Sequence, residues 1–192
     1  MFTHKQSALI IGVASAAGLM LAAATGSAQS IKGHYGFGDP ASPELIEEWA
    51  IAIPPDGEHL PPGGATAKEG EKVYAEQCVA CHGADLQGVK ETGGTPLIGG
   101  RGTLDSKAPK KTVESYWPYA TTLYDYVHRA MPFNAPGSLS AEDVYAVSAY
   151  ILHKGNIIDA DKRMDAESLP KVEMPNKDGF IPDPRPDVIG YR

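Results

Sequence analysis

The sequence predicts an all-α domain held between two long irregular arms. Three observations lead there. Glycine and proline, 21 and 16 of 192 residues, make up about a fifth of the chain, which favours long connections over a strand-rich sheet. The only hydrophobic period that persists is helical, and it is confined to residues 66–154; no stretch alternates with period two for long. Prolines crowd the flanks instead, with Pro40, Pro43, Pro54, Pro55, Pro61 and Pro62 on one side and Pro170, Pro175, Pro182, Pro184 and Pro186 on the other.

Residues 1–28 read as an export signal. "MFTHKQ" is a short basic start, "SALIIGVASAAGLMLAAA" is an uncharged apolar run, and Gly26 and Ala28 suit cleavage after Ala28. A permanent anchor is the competing reading, but 18 residues rich in Ala, Gly and Ser sit near the lower limit for a span. The expectation is a periplasmic mature chain with no permanent membrane anchor.

Residues 29–65 form the N-terminal arm. One short helix is expected in it, through "ELIEEWA", with Ser42 as cap, Pro43 in the first position and Glu44 at the positive end of the dipole. Residues 155–192 form the C-terminal arm, loose and extended, and Met164 and Met174 fall there. Both arms carry large apolar residues, among them Trp49, Ile51, Ile53, Phe180 and Ile181, so they either wrap their own domain or dock on a partner.

Between the arms, "AKEGEKVYAEQC" is the first core helix, with Val73, Tyr74 and Gln77 expected on its inner side. "TLYDYVHRAM" is the second. Thr122 and Asp125 have capping-box spacing, Leu123, Tyr126, Val127 and Ala130 share a face, and Pro132 ends it. "SAEDVYAVSAYILHKG" is the third, capped by Ser140, stapled by Leu139 and Val144, lined by Val147, Ile151 and Leu152, and stopped at Gly155.

The chemistry sits in "YAEQCVACHGADL". Cys78 and Cys81 are the only cysteines, and His82 follows the second. A redox disulfide suits an exported chain, but that motif belongs to an α/β setting. Zinc needs further ligands at close spacing, and His34, His59, His128 and His153 are scattered. Covalent haem c attachment accounts for the whole pattern. Two thiols three residues apart at a helix end reach the two vinyl groups of one macrocycle, and the adjacent imidazole meets its iron.

The expected cofactor is therefore one haem c, with His82 as axial ligand. Met131, in "HRAMPFN" 49 residues on, is the expected sixth ligand, because Pro132 stops the helix where a thioether must turn inward. His128, about one turn earlier, is the alternative. Arg101, Tyr116, Trp117 and Tyr119 are candidates to hold the haem carboxylates; otherwise they are a surface arginine and core aromatics.

The order "GEKVYAEQCVACHG", "GGTPLIGGRG", "RAMP" and a closing amphipathic helix resembles class I cytochromes c over residues 66–154. That resemblance implies a single domain whose first and last helices cross, with Gly70 and Tyr74 meeting Tyr150. It also implies that Pro96 supplies the backbone carbonyl orienting the His82 ring. More narrowly, "GFGDPASPELIEEWAIAIPPDGEHLPPG", "KTVESYWPYATTLYDYVHRAMPF", "LSAEDVYAVSAYIL" and "PNKDGFIPDPRPDV" resemble the cytochrome subunit (SoxD type) of the Sox sulfane dehydrogenase. This implies a molybdenum-cofactor dehydrogenase subunit as electron donor and a downstream cytochrome as acceptor, with no substrate catalysis on this chain. Some members of that family carry a second haem domain; this sequence has one C-x-x-C-H. The cytochrome of a sulfite dehydrogenase, a free electron shuttle and an open-site haem enzyme are the other readings. Net charge is −7, and an acidic chain is not a nucleic-acid binder by charge.

Overall fold

The computed structural model describes residues 38–182. The expected export signal lies outside the described residues. Among the described residues no helix is long and apolar enough to cross a membrane.

Among the described residues, five helices and one short strand pair follow in the order α1 (Pro43–Trp49), β1 (Gly64–Ala65), α2 (Ala67–Gln77), α3 (Val79–His82), α4 (Ala120–Ala130), α5 (Ala141–Lys154) and β2 (Met164–Asp165). Single 3-10 turns lie at Lys90–Thr92 and Leu169–Lys171. β1 and β2 pair antiparallel, Gly64 with Asp165 and Ala65 with Met164, so the two arms meet through their own backbones. The fold is all-α apart from this two-residue ladder.

Local signals set the helix starts. Ser42 Oγ accepts from the Leu45 N–H at 3.2 Å with Pro43 in the first turn, as expected. Ser140 Oγ accepts from the Asp143 N–H at 3.1 Å. At α2, Glu69 reaches back to the Thr66 N–H at 2.7 Å and also accepts from its hydroxyl. The start of α4 differs from the expectation. It begins at Ala120 after Tyr119, so Thr122 lies inside the helix and caps nothing. Asp125 is used across space instead, accepting from the Ile53 N–H of the N-terminal arm at 2.9 Å and from Arg129 Nε at 2.9 Å.

α2 and α5 cross in close contact. A Cβ on Gly70 would lie 1.9 Å from the Ala146 carbonyl oxygen, so only glycine permits this approach. Tyr74 and Tyr150 pack with ring centroids 5.1 Å apart, a pairing worth about 1 kcal/mol beyond its buried area. Ala67, Gly70 and Tyr74 are the residues α2 buries; Gln77 is exposed, one position past the true stripe. On α4 the inward residues are Ala120, Leu123, Tyr124 and Val127, whereas Tyr126 stays 47% exposed.

The C-terminal arm is not loose where it is described. Met164, Leu169, Val172 and Met174 all enter the core. α5 is buried continuously from Val144 to Leu152 rather than along one stripe because α2, α4 and the β1–β2 pair all pack on it. An extended tail with an apolar residue every few positions gains free energy by lying on the helix, at roughly 1.5–3 kcal/mol per fully buried side chain. The N-terminal arm is fixed at several points: Ile53 is buried beside Asp125, the Pro61 carbonyl accepts from the Tyr145 hydroxyl at 2.9 Å, and Gly64–Ala65 pairs with β2.

Candidate haem site

The turn that carries the two cysteines is built by backbone hydrogen bonding. Cys78 ends α2, its N–H donating to the Tyr74 carbonyl at 2.9 Å. Its own carbonyl accepts from the N–H groups of Cys81 and His82, at 3.1 and 2.9 Å, and so starts α3. Cys78 and Cys81 therefore sit one turn apart with His82 next to them. Both thiols are free and half-buried.

Burial, and secondarily the neighbouring Cys81, pushes the Cys78 thiol up to about 11. That environment opposes the thiolate required by a metal site or a redox nucleophile. It suits a neutral thioether. Among the described residues no group of three or more His, Cys, Asp and Glu is placed to hold a metal ion.

The segment after the turn folds back on it. The Val89 N–H donates to the Cys81 carbonyl at 2.9 Å and the Gly88 N–H to the His82 carbonyl at 2.8 Å. Gly94 packs so close that a Cβ there would fall 1.7 Å from the Cys81 oxygen. The Tyr74 hydroxyl donates to the Gly83 carbonyl at 2.8 Å, tying the end of the turn to α2.

This return loop orients the histidine. His82 Nδ1 lies 2.8 Å from the Thr95 carbonyl oxygen. With Nδ1 as donor, Nε2 is left as the free ligand atom. The expectation had given this carbonyl to Pro96, and the structure moves it back by one residue. Pro96 acts indirectly, since its ring restricts Thr95 to extended backbone and so helps set the direction of the Thr95 carbonyl. The signal was present in "GGTP" but is displaced from the residue that makes the bond.

Met131 caps the end of α4, its N–H donating to the Val127 carbonyl at 3.1 Å, and its side chain packs half-buried against the core. His128 sits one turn earlier on the same side of the helix, facing the Tyr124 ring at 6.0 Å. Its Nδ1 is buried and has no hydrogen-bond partner among the described residues.

The four candidates for the haem carboxylates are placed differently from one another. Arg101 Nε pairs with Glu114 at 2.7 Å, and its Nη2 donates to the Gly155 carbonyl, so it clasps the loop to the end of α5. Trp117 is half-buried and meets Tyr126 edge-on at 5.7 Å. Tyr116 packs against Phe180 at 5.2 Å and under the Lys111 ammonium. Tyr119 is 40% exposed at the start of α4.

The residues present fit a haem. Two sulfurs lie one helical turn apart, Cys78 in surroundings that favour its neutral form, and the neighbouring imidazole has its second nitrogen fixed. Val79, Leu97, Ile98, Trp117 and Met131 pack on the core yet keep part of their apolar surface uncovered. A flat hydrophobic group bound there would cover what the chain leaves open.

Comparison with known proteins agrees. The profile of the family described as "Cytochrome c" matches residues 67–154. A chain in the crystal structure of the sulfane dehydrogenase SoxCD from Paracoccus pantotrophus superposes with a TM-score of 0.70 at 39% identity, covering 81% of this chain and 76% of that one.

This chain belongs to the cytochrome c family.

Its cofactor is therefore covalent haem c, carried on Cys78 and Cys81. The narrower resemblance read from the arms also holds, since the likeness to the SoxCD chain covers far more than the residues of the cytochrome profile. Other relatives match shorter shares of the chain. The thiosulfate dehydrogenase of Stutzerimonas stutzeri (strain A1501) is 31% identical over 115 residues, 54% of this chain and 35% of that protein. The cbb3-type cytochrome c oxidase subunit FixP of Rhizobium meliloti (strain 1021) is 32% identical over 95 residues, 42% of this chain and 31% of that protein. This cytochrome thus spans about a third of the length of these two relatives.

Proposed function

We propose that this cytochrome is the electron-accepting subunit of a periplasmic, molybdenum-containing sulfane dehydrogenase, passing electrons on to a further cytochrome. The observation that carries the reading is the extent of the likeness to the SoxCD chain. It takes in 81% of the sequence at 39% identity, whereas the cytochrome profile ends at residue 154. A module shared only for its haem would match over a shorter share of the chain, as the FixP subunit does over 42% of it.

Haem iron supplies a one-electron Fe(III)/Fe(II) couple. The chain does the rest. Cys78 and Cys81 would tether the group at two points. The Thr95 carbonyl holds His82 Nδ1 and leaves Nε2 as the nitrogen that would meet the iron. Met131, a neutral thioether at the end of α4, would be the second ligand on this reading, and Met/His ligation would raise the potential. The half-covered apolar side chains would shield the group from water.

The test is to purify the native chain from periplasm under mild conditions and assay the eluted material for molybdenum and haem c. Molybdenum in fixed ratio to haem supports the reading; haem eluting alone overturns it. The thiosulfate dehydrogenase match favours a second reading, in which the haem itself meets the sulfur substrate. Carbon monoxide separates the two. The reduced wild-type chain should not bind it readily, and Met131→Ala should. Ready binding by the wild type favours the open-site enzyme.

A further inference from the structure

Helix α1 is amphipathic and its apolar side is bare. Around its seven residues Leu45, Ile46 and Trp49 form one stripe, and Glu44, Glu47 and Glu48 lie on the other side. In a surface helix the apolar stripe faces the core. Here no residue of α1 is buried: Leu45 is 46% exposed, Ile46 57% and Trp49 77%. Ile51, just beyond the helix, is 57% exposed and extends the patch. Two residues later Ile53 is buried and hydrogen-bonded to Asp125, so the bare helix sits at the end of a fixed root.

Energetics make this arrangement informative. An isolated helix of seven residues is not stable in water. This one has a full start signal, with Ser42 as cap and Pro43 in the first turn, but buries nothing that would stabilise it. Much of the C-terminal arm does bury its apolar residues on the domain, as Met164, Leu169, Val172 and Met174 show, while Phe180 and Ile181 near its end stay exposed.

We infer that α1 is a docking helix, and that its occupant is an apolar groove with a basic rim on the dehydrogenase subunit that donates electrons to this cytochrome. The inference rests on the function proposed above and names the surface that would serve it. Two observations select this occupant. Glu48 lies beside the Leu45 edge of the stripe, with Glu44 beyond it, so arginine or lysine on the groove edge would pair with them, and the net charge of −7 favours a basic partner over a second copy of the same chain. The likeness to the SoxCD chain also runs well outside residues 67–154, so arm sequence is shared with that dehydrogenase chain as well as haem-domain sequence. A helix laying Leu, Ile and Trp into a groove is a common recognition mode, with tryptophan the usual anchor.

The experiment expresses the tagged full-length holochain in the source cells beside its natural partners, as wild type and as Ile46→Glu/Trp49→Glu. Two quantities are read: molybdenum per haem in the purified material, and the rate of hydroxyl-radical oxidation of Trp49 with and without the molybdenum subunit bound. Expected are at least a tenfold loss of co-purifying molybdenum in the double variant, with an unchanged haem spectrum, and at least tenfold slower Trp49 oxidation in the wild-type complex. Equal molybdenum in variant and wild type, or equal Trp49 oxidation free and bound, overturns the docking helix while leaving the subunit reading intact. A wild-type chain that elutes without molybdenum overturns the subunit reading and the inference with it. Trp49 already protected in the isolated holochain assigns the patch to the chain itself if the species is monomeric, or to a second copy if dimeric. Either result overturns the inference.

Discussion

Two regions of this cytochrome treat apolar surface in opposite ways. Around the end of α5 the chain covers itself: Met164, Leu169, Val172 and Met174 of the C-terminal arm lie in the core, and Val144 to Leu152 are buried without a break. Around the cysteine turn it stops short, leaving Val79, Leu97, Ile98, Trp117 and Met131 half-covered. The first region is completed by polypeptide and the second by a cofactor. Stability should accordingly depend on the cofactor in one region and on packing in the other.

Removing the cofactor is the strongest way to break this contrast. Cys78→Ala/Cys81→Ala, which cannot hold haem covalently, should lose on the order of 5 kcal/mol or more, comparable to the whole stability of a small domain. Urea denaturation followed by circular dichroism should show no cooperative transition. A cooperative transition near the holochain midpoint would mean that the cysteine region is complete without haem.

Met164→Ala tests the other side. Its side chain is fully buried where the arms pair, and truncation should cost about 2–5 kcal/mol. The haem spectrum should not change. A loss below about 0.5 kcal/mol would make the C-terminal arm a loose tail after all.

Asp125→Asn probes the attachment of the N-terminal arm at Ile53. Burial alone would push the Asp125 carboxyl up, but the hydrogen bonds from Arg129 and the Ile53 N–H, helped by the charges of Arg129 and His128, outweigh it and hold the group below the usual carboxylate range. A carboxylate with a lowered folded value contributes stability that is present above its unfolded value. That contribution is lost as pH falls through the folded one. The variant should therefore lose about 1–3 kcal/mol at pH 7, and its deficit against wild type should shrink once pH falls below the ordinary value of 3.8. Urea midpoints at pH 7 and near pH 3 check the sign.

The smallest effect belongs to α1. Ile46→Glu/Trp49→Glu in the isolated holochain should move stability by less than about 0.5 kcal/mol, because neither side chain is buried there. A larger loss on thermal melting would mean that α1 packs on its own domain.

Much of the site was legible in the residues. C-x-x-C-H carries its chemistry in its spacing, and helix starts at Ser42 and Ser140 follow from side chains that reach their own backbone. Contacts between residues far apart in the chain were less legible. Asp125 has the spacing of a capping residue with Thr122, yet it anchors an arm 72 positions away. The carbonyl on His82 belongs to Thr95, because a proline constrains the residue before it. Arg101 reads as a partner for haem carboxylates, whereas here it is held by Glu114 and the Gly155 carbonyl.

By itself the sequence determined the cofactor and the helical frame, since each rests on residues within a few positions of one another, where local geometry leaves few alternatives. Only the tertiary structure decided which half of each arm is buried. Two proline-rich segments of like composition diverge because burial depends on what lies opposite: Met164 finds α5 and the turn at Leu169 finds α4, whereas Trp49 stays exposed among the described residues.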